Sequence, residues 1–244
     1  VRQQIWIAAA VLVGYWLAIT LIPVPGRGMG ALLLSDPGAS LAAWVDRTVI
    51  GPNHMWIGGG GIWDPEGILS TIPATATVIL GSIAGRWIAA PVPLLERLSA
   101  LFAAGALAMT AGLVWAWSFP IGKNLWTSSY VLFTAGMACV GIATCAWLID
   151  VRGWRAWTKP LIPFGINPIV AFVASGFLSR FIYTLVKVPR NGTLVSVQSA
   201  IYDTIFAPLF TDSRDASLLF ALAYVAVFYA ILRLMHKRGI IVKI

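Results

Sequence analysis

Trp63-Asp64-Pro65-Glu66-Gly67 runs straight into Ile68-Leu69-Ser70-Thr71 and on to Gly85 without another charge. From Gly67 to Gly85 there are 19 residues with no Asp, Glu, Lys or Arg, close to the roughly 20 apolar residues that cross a bilayer as one helix. The stretch reads as a membrane span behind a charged cap. Further uncharged runs cover Gln3 to Gly26 (24), Leu98 to Gly122 (25), Asn124 to Ile149 (26), Pro160 to Ser179 (20) and Ala216 to Leu232 (17). The expected fold is all-α: one polytopic transmembrane bundle over residues 1–244, with six spans at about 4–22, 67–87, 98–118, 125–149, 161–182 and 216–235.

Composition agrees, with 59% hydrophobic residues, 11% charged residues and a mean hydropathy of +0.85 in 244 residues. A soluble domain cannot bury that much apolar surface. A transmembrane β-barrel would alternate polarity over segments of about ten residues, whereas these runs are continuously apolar.

Basic residues orient the spans, because Lys and Arg are retained on the cytoplasmic side. The side holding both termini carries ten, at Arg2, Arg86, Arg97, Arg152, Arg155, Lys159, Arg233, Lys237, Arg238 and Lys243, and the other carries seven on longer loops. Both termini are expected in the cytoplasm, with loops 23–66, 119–124 and 183–215 facing the periplasm or a lumen. A bacterial inner membrane is the expected location. The formal charge of +8 suits anionic lipid headgroups, and the absence of a basic block with interleaved aromatics argues against nucleic acid. Ile5 to Ile22 is longer than a secretory h-region of about 7 to 15 residues, so the amino-terminal segment reads as a span, and the opening Val1 suggests that a segment before it is absent.

Soluble chemistry is poorly supplied. Cys139 and Cys145, six apart in one span, read as small buried apolar side chains. His54 and His236 fall on opposite sides, and no ligand spacing points to a metal. Gly58 to Gly61 lacks the Lys-Ser or Lys-Thr of a phosphate loop and reads as a flexible loop. Asn191-Gly192-Thr193 is a glycosylation sequon, meaningful in a eukaryote.

Three junctions carry the polar residues. At the first, Asp64 suits a helix N-cap, Pro65 the first helical position, and Glu66 the positive helix end. The same geometry places two carboxylates beside Ser70, Thr71, Thr75 and Thr77, where a polyhydroxylated or amine-bearing substrate could hydrogen-bond. At the second, Lys123-Asn124-Leu125-Trp126 begins the fourth span: Asn124 can cap and Trp126 can anchor at the interface. Lys123 opposes the macrodipole unless it snorkels or pairs with Asp64 or Glu66. Two helix N-termini converging on one side make a site for an anion or polar ligand. At the third, Pro163-Phe164-Gly165-Ile166-Asn167-Pro168 breaks the fifth span, leaving Asn167 as packing glue or a cavity-lining amide. Gly81-Ser82-Ile83-Ala84-Gly85 is a GxxxG pattern, for which close helix packing is the default.

These residues together resemble the heparan-α-glucosaminide N-acetyltransferase family. The resemblance runs through Trp44-Val45-Asp46-Arg47 with Gly51 and His54-Met55-Trp56, then Asp64-Pro65-Glu66-Gly67-Ile68-Leu69-Ser70-Thr71 with Leu80-Gly81 and Ala84-Gly85. It continues through Lys123-Asn124-Leu125-Trp126 with Ser129-Tyr130-Val131, Asp150-Val151-Arg152-Gly153, Phe164-Gly165-Ile166-Asn167-Pro168-Ile169 and the carboxyl end Ile240 to Ile244. It implies acyl transfer across the bilayer, from acetyl-CoA on the cytoplasmic side to a glycan amine, a terminal glucosamine, on the other. Asp64, Glu66, Lys123, Asn124, Trp126 and Asn167 would line the acceptor site, and Arg86 and Arg152 would meet the CoA phosphates. The attacking amine needs a base with a pKa near neutrality, usually histidine. The family's catalytic histidine lies upstream of anything matching Val1, and His54 matches a different loop, so no catalytic residue and no metal site is assigned here. The alternative is a non-catalytic subunit derived from that fold, packed against other membrane subunits or a second copy within the lipid bilayer.

Overall fold

The structure is a computed structural model that describes residues 1–190 and 192–242, the side chains of Ala31 and Leu33 excepted. Asn191 of the sequon, Lys243 and Ile244 lie outside the described residues. Among the described residues, six helices are long and apolar enough to cross a membrane: Arg2–Leu21, Ile68–Ile88, Leu94–Trp115, Ser128–Val151, Pro168–Leu185 and Ser213–Lys237. The expected all-α fold with six spans is thus found, with two short hairpins added in the connections. The chain divides into two compact units, Val1–Gly153 and Trp154–Ile244.

The first unit holds four spans. Helix α1 (Arg2–Leu21) buries Ala8, Leu12, Tyr15 and Ile19, a spacing of three and four that keeps one face inward. A two-residue hairpin, β1 (Pro23–Val24) with β2 (Gly28–Met29), then leads to the short amphipathic helix α2 (Leu41–Val49). Ser40 caps α2, its hydroxyl accepting from Ala43 N at 3.2 Å. Helix α3 (Ile68–Ile88) follows, then α4 (Leu94–Trp115) and α5 (Ser128–Ala146), which continues through a π-type turn to Val151. Helix α4 starts four residues ahead of the charge-free run because Glu96 sits favourably in its first turn.

Helices α4 and α5 pack backbone to backbone. Leu98, Gly105 and Gly112 recur every seven residues on α4, and Ser129, Gly136 and Ala143 do so on α5, all of them buried. A β-carbon at Gly105 would lie 2.9 Å from the Gly136 carbonyl oxygen, one at Gly136 would lie 2.5 Å from that of Gly105, and one at Gly112 would lie 2.7 Å from Phe133 N. Without water to drive association in lipid, such close approach supplies the dispersion contact that holds helices together. The expected packing at Gly81 and Gly85 is not found: neither has an atom within 4 Å of its β-carbon position, and both are exposed. The GxxxG face of α3 is open.

The second unit contains α6 (Ile162–Ile166), α7 (Pro168–Arg180) with a π-type turn to Leu185, β3 (Lys187–Arg190) paired antiparallel with β4 (Thr193–Ser196), α8 (Val197–Ile201) and α9 (Ser213–Lys237). The break between α6 and α7 falls on Asn167, whose φ of −122° and ψ of 54° leave the helical region. The span starts after it, at Pro168. Tyr224 on α9 donates to the Ser175 carbonyl on α7 at 2.7 Å, and Arg190 pairs with Asp203 at 3.0 Å.

Candidate functional site

Three segments meet where α3 and α5 begin. Leu69 and Leu125 pack into one cluster with Tyr15, Ile19, Leu41 and Phe119, while Ala76 and Leu80 pack with Val131 and Leu132 further along. The two helices therefore run in the same direction, their amino-terminal ends side by side.

At the head of α3 the polar arrangement departs from the expected cap. Gly67, not Asp64, is the N-cap, and it has no side chain to offer. Asp64 instead folds its own loop: Oδ1 accepts from Glu66 N and Oδ2 from Trp56 N, each at 2.9 Å. Its carboxylate ties residue 56 to residue 66, with Trp56 and Trp63 edge to face at 5.7 Å. The cap that α3 needs comes from a distant residue. Asp46 on α2, 1% exposed, accepts the Ile68 N–H through Oδ1 at 2.9 Å. Its Oδ2 is buried without a partner among the described residues, in the space a β-carbon at Gly67 would take. Burial pushes the Asp46 carboxyl above the usual carboxylate range. The Ile68 N–H opposes that shift, nearby Asp64 adds to it and Arg47 opposes it. Arg47 turns away to donate from Nη1 to the Gly38 carbonyl at 2.8 Å and to the Ile62 carbonyl.

The expected stripe of free hydroxyls on α3 is largely used internally. Ser70 and Thr71 donate to the Gly67 carbonyl, both at 2.9 Å, and Thr75 donates to the Ile72 carbonyl at 2.6 Å. Thr77 accepts from Trp126 Nε1 at 3.2 Å, which ties α3 to the head of α5.

Thr127, not Asn124, caps α5, accepting from Tyr130 N at 3.3 Å and from Gly122 N at 3.0 Å. Ser128 donates to the Leu12 carbonyl at 2.7 Å and Ser129 to the Phe119 carbonyl. The Tyr15 hydroxyl donates to the Leu125 carbonyl. These buried bonds anchor the head of α5 to α1 and to the α4–α5 connection. Trp126 has φ +49°, a left-handed conformation rare for a bulky residue, and its ring meets Tyr130 at 5.3 Å. The surrounding bonds hold it there.

Of the six residues expected at an acceptor site, Glu66, Lys123 and Asn124 are exposed on this rim, with side chains free of hydrogen bonds and ion pairs among the described residues. The expected pairing of Lys123 with Asp64 or Glu66 is not made. Asp64 and Trp126 lie at the same two junctions, committed to Trp56, Glu66 and Thr77. Asn167 is wholly buried in the second unit, and both ends of its amide are engaged: Nδ2 donates to the Ile240 carbonyl at 3.0 Å and Oδ1 accepts from Val242 N at 2.8 Å. It binds the chain's own carboxyl segment. Arg86, in the last turn of α3, and Arg152, after α5, are exposed, and Arg152 lies over the Trp147 ring at 5.5 Å. Both belong to the ends of α3 and α5 remote from Glu66 and Lys123.

Sequence reasoning passed over Asp46 as a site residue. The signal was present, since Asp46 falls four residues after Ala42 and three after Ala43, on the buried face of α2.

No family model matches the chain. Heparan-alpha-glucosaminide N-acetyltransferase of Homo sapiens is 29% identical over 197 residues, which cover 69% of this chain and 29% of that protein. The Mus musculus protein of the same name is 29% identical over 202 residues, covering 72% and 30% respectively. The chain spans under a third of the length of the curated relatives it matches. Both similarities fall on the family that the motifs indicate, and the long apolar helices make the chain an integral membrane protein.

Proposed function

We propose that this chain takes part in transferring an acetyl group from acetyl-CoA to the amine of a glucosamine-type sugar, with the two substrates on opposite faces of the bilayer. The observation that carries the reading is the rim formed by the heads of α3 and α5. There an acidic, a basic and an amide side chain, Glu66, Lys123 and Asn124, stand free over a rigid hydrogen-bonded base. A carboxylate suits an ammonium group, and an amide with a lysine suits sugar hydroxyls. Asp64 and Trp126 shape the rim. Asn167 is left out of it, because its amide already has partners.

At the far ends of the same two helices, Arg86 and Arg152 supply cations for CoA phosphates. Stacking on Trp147 leaves the N–H edge of the Arg152 guanidinium open. The charge bias of the loops supports placing both termini, Arg86 and Arg152 in the cytoplasm. In the transfer, the amine nitrogen attacks the thioester carbonyl, the C–S bond breaks to release the CoA thiol, and the amine proton passes to a base. The resemblance does not give His54 that role, because His54 matches a different loop of the family.

The test uses the native polypeptide that contains this chain, extracted in mild detergent with whatever accompanies it. Labelled acetyl should pass from acetyl-CoA to glucosamine. Glu66→Gln and Lys123→Gln should each raise the KM for the amine and leave acetyl-CoA binding unchanged, while Arg86→Gln with Arg152→Gln should weaken acetyl-CoA. Absence of acetyl-CoA binding by calorimetry in the native sample would overturn the reading. The open Gly81 and Gly85 face favours the second reading, a non-catalytic subunit, which a stoichiometric assembly without transfer activity would support.

A further inference from the structure

The last turns of α9 line a cleft of about 390 Å³ formed by Tyr229, Ala230, Arg233, Leu234 and Lys237. These residues recur at spacings of three and four and so share one face of the helix. Phe164 stacks on Tyr229 with ring centroids 6.4 Å apart and planes 14° from parallel, which fixes the ring. The Arg233 guanidinium lies over Tyr229 at 5.7 Å. A cation held on an aromatic face keeps its N–H edge available for an anion.

Charge balance says what the anion is for. No Asp or Glu occurs from Ala216 to the carboxyl end, and neither Arg233 nor Lys237 makes an ion pair among the described residues. Two uncompensated cations therefore stand where the apolar span Ser213–Lys237 ends, the depth at which headgroup phosphates lie. The other walls, Ala230, Leu234 and the ring of Tyr229, are apolar. A free phosphate would leave them wet, whereas a lipid covers them.

We propose that this cleft binds an anionic phospholipid, with Arg233 and Lys237 on the headgroup phosphate and the first methylenes of one acyl chain along Ala230 and Leu234.

The test is native mass spectrometry of the detergent-extracted protein titrated with phosphatidylglycerol and, separately, phosphatidylcholine. One phosphatidylglycerol should be retained in preference to phosphatidylcholine. Arg233→Gln with Lys237→Gln should lower its affinity about 30-fold, the effect of two basic residues at a membrane surface. Arg27→Gln, an exposed cation in the β1–β2 hairpin, should change nothing. Arg233→Lys keeps the charge and should keep most of the affinity, so a loss as large as that of glutamine overturns the proposal. Equal retention by the double variant and the parent, both folded by thermal melting, also overturns it. Displacement of the lipid by inorganic phosphate at matched phosphate concentration would show a soluble-anion site and overturn the lipid assignment.

Discussion

The carboxylate of Asp46 occupies the volume that a side chain at Gly67 would need, while its other oxygen holds the N–H of the next residue, Ile68, at 2.9 Å. Gly67 has an ordinary φ of −68°, so backbone strain plays no part and the requirement for glycine is one of space. Gly67→Ala should destabilise the protein by about 1–3 kcal/mol through overpacking. Asp46→Ala removes both the obstacle and the distant cap. The double variant should therefore lose less than the two single losses together, by about 0.5–3 kcal/mol. Thermal melting of all four proteins in one detergent measures it, and strict additivity would contradict the overlap.

Asp46 also makes stability depend on pH. Its folded-state carboxyl titrates above the ordinary range, chiefly through burial. The stability it contributes is thus fully present below the unfolded value of about 3.9 and is lost as pH rises through the raised folded value. Asp46→Asn keeps the acceptor for Ile68 and abolishes the titration. The melting temperature of the asparagine variant relative to the parent should climb from about pH 4 towards neutrality. A flat difference would show that the carboxylate is relieved of its burial.

Asn167 makes the carboxyl segment part of the fold. Asn167→Ala removes both bonds to residues 240 and 242 and leaves two backbone groups without their partner, a cost of about 1–3 kcal/mol. Asn167→Asp keeps the acceptor for Val242 N but sets a buried carboxylate oxygen against the Ile240 carbonyl, so it should cost at least as much as alanine. Hydrogen exchange at Val242 should speed up in both variants relative to the parent.

Glycine substitutions should separate the two helix faces. Gly136→Ala forces α4 and α5 apart and should cost about 1–3 kcal/mol. Gly81→Ala and Gly85→Ala meet no atom and should be neutral or gain up to about 1 kcal/mol from helix propensity. Melting in detergent checks the isolated chain. A loss of co-purifying protein in the Gly81 variant alone would mark that face as an interface.

The spans were legible because a bilayer imposes one simple rule on a long stretch of chain, and charge-free runs reveal it. The caps were not, because capping by Asp, Asn, Ser or Thr is a local rule with several local candidates. Asp64 has the right chemistry for the head of α3, yet its two oxygens go to Trp56 and Glu66, and the cap arrives from Asp46, 22 residues upstream. At α5, Thr127 stands closer to the first turn than Asn124 and takes the role. Glycine spacing misled in a similar way. The four-residue pattern at Gly81 and Gly85 is conspicuous but open, whereas the contacts use a seven-residue pattern shared by two helices, which becomes visible only when both are considered together. For the candidate site, the motifs pointed to the two junctions, and free side chains could be told from committed ones only by their partners.

Arg47 has a consequence for how the long connection between α1 and α3 tolerates change. One guanidinium bridges the carbonyls of Gly38 and Ile62, so residues 38 to 62 form a cinched lobe whose neck is a single side chain. Both bonds leave one nitrogen, Nη1, so the neck depends on a single donor group. Added residues near Gly51, midway along the lobe and with a φ of +83° that marks a bend, would lengthen the lobe without loosening its neck. The same insertion beside residue 38 or 62 would undo the cinch and release Asp46 from beneath α3.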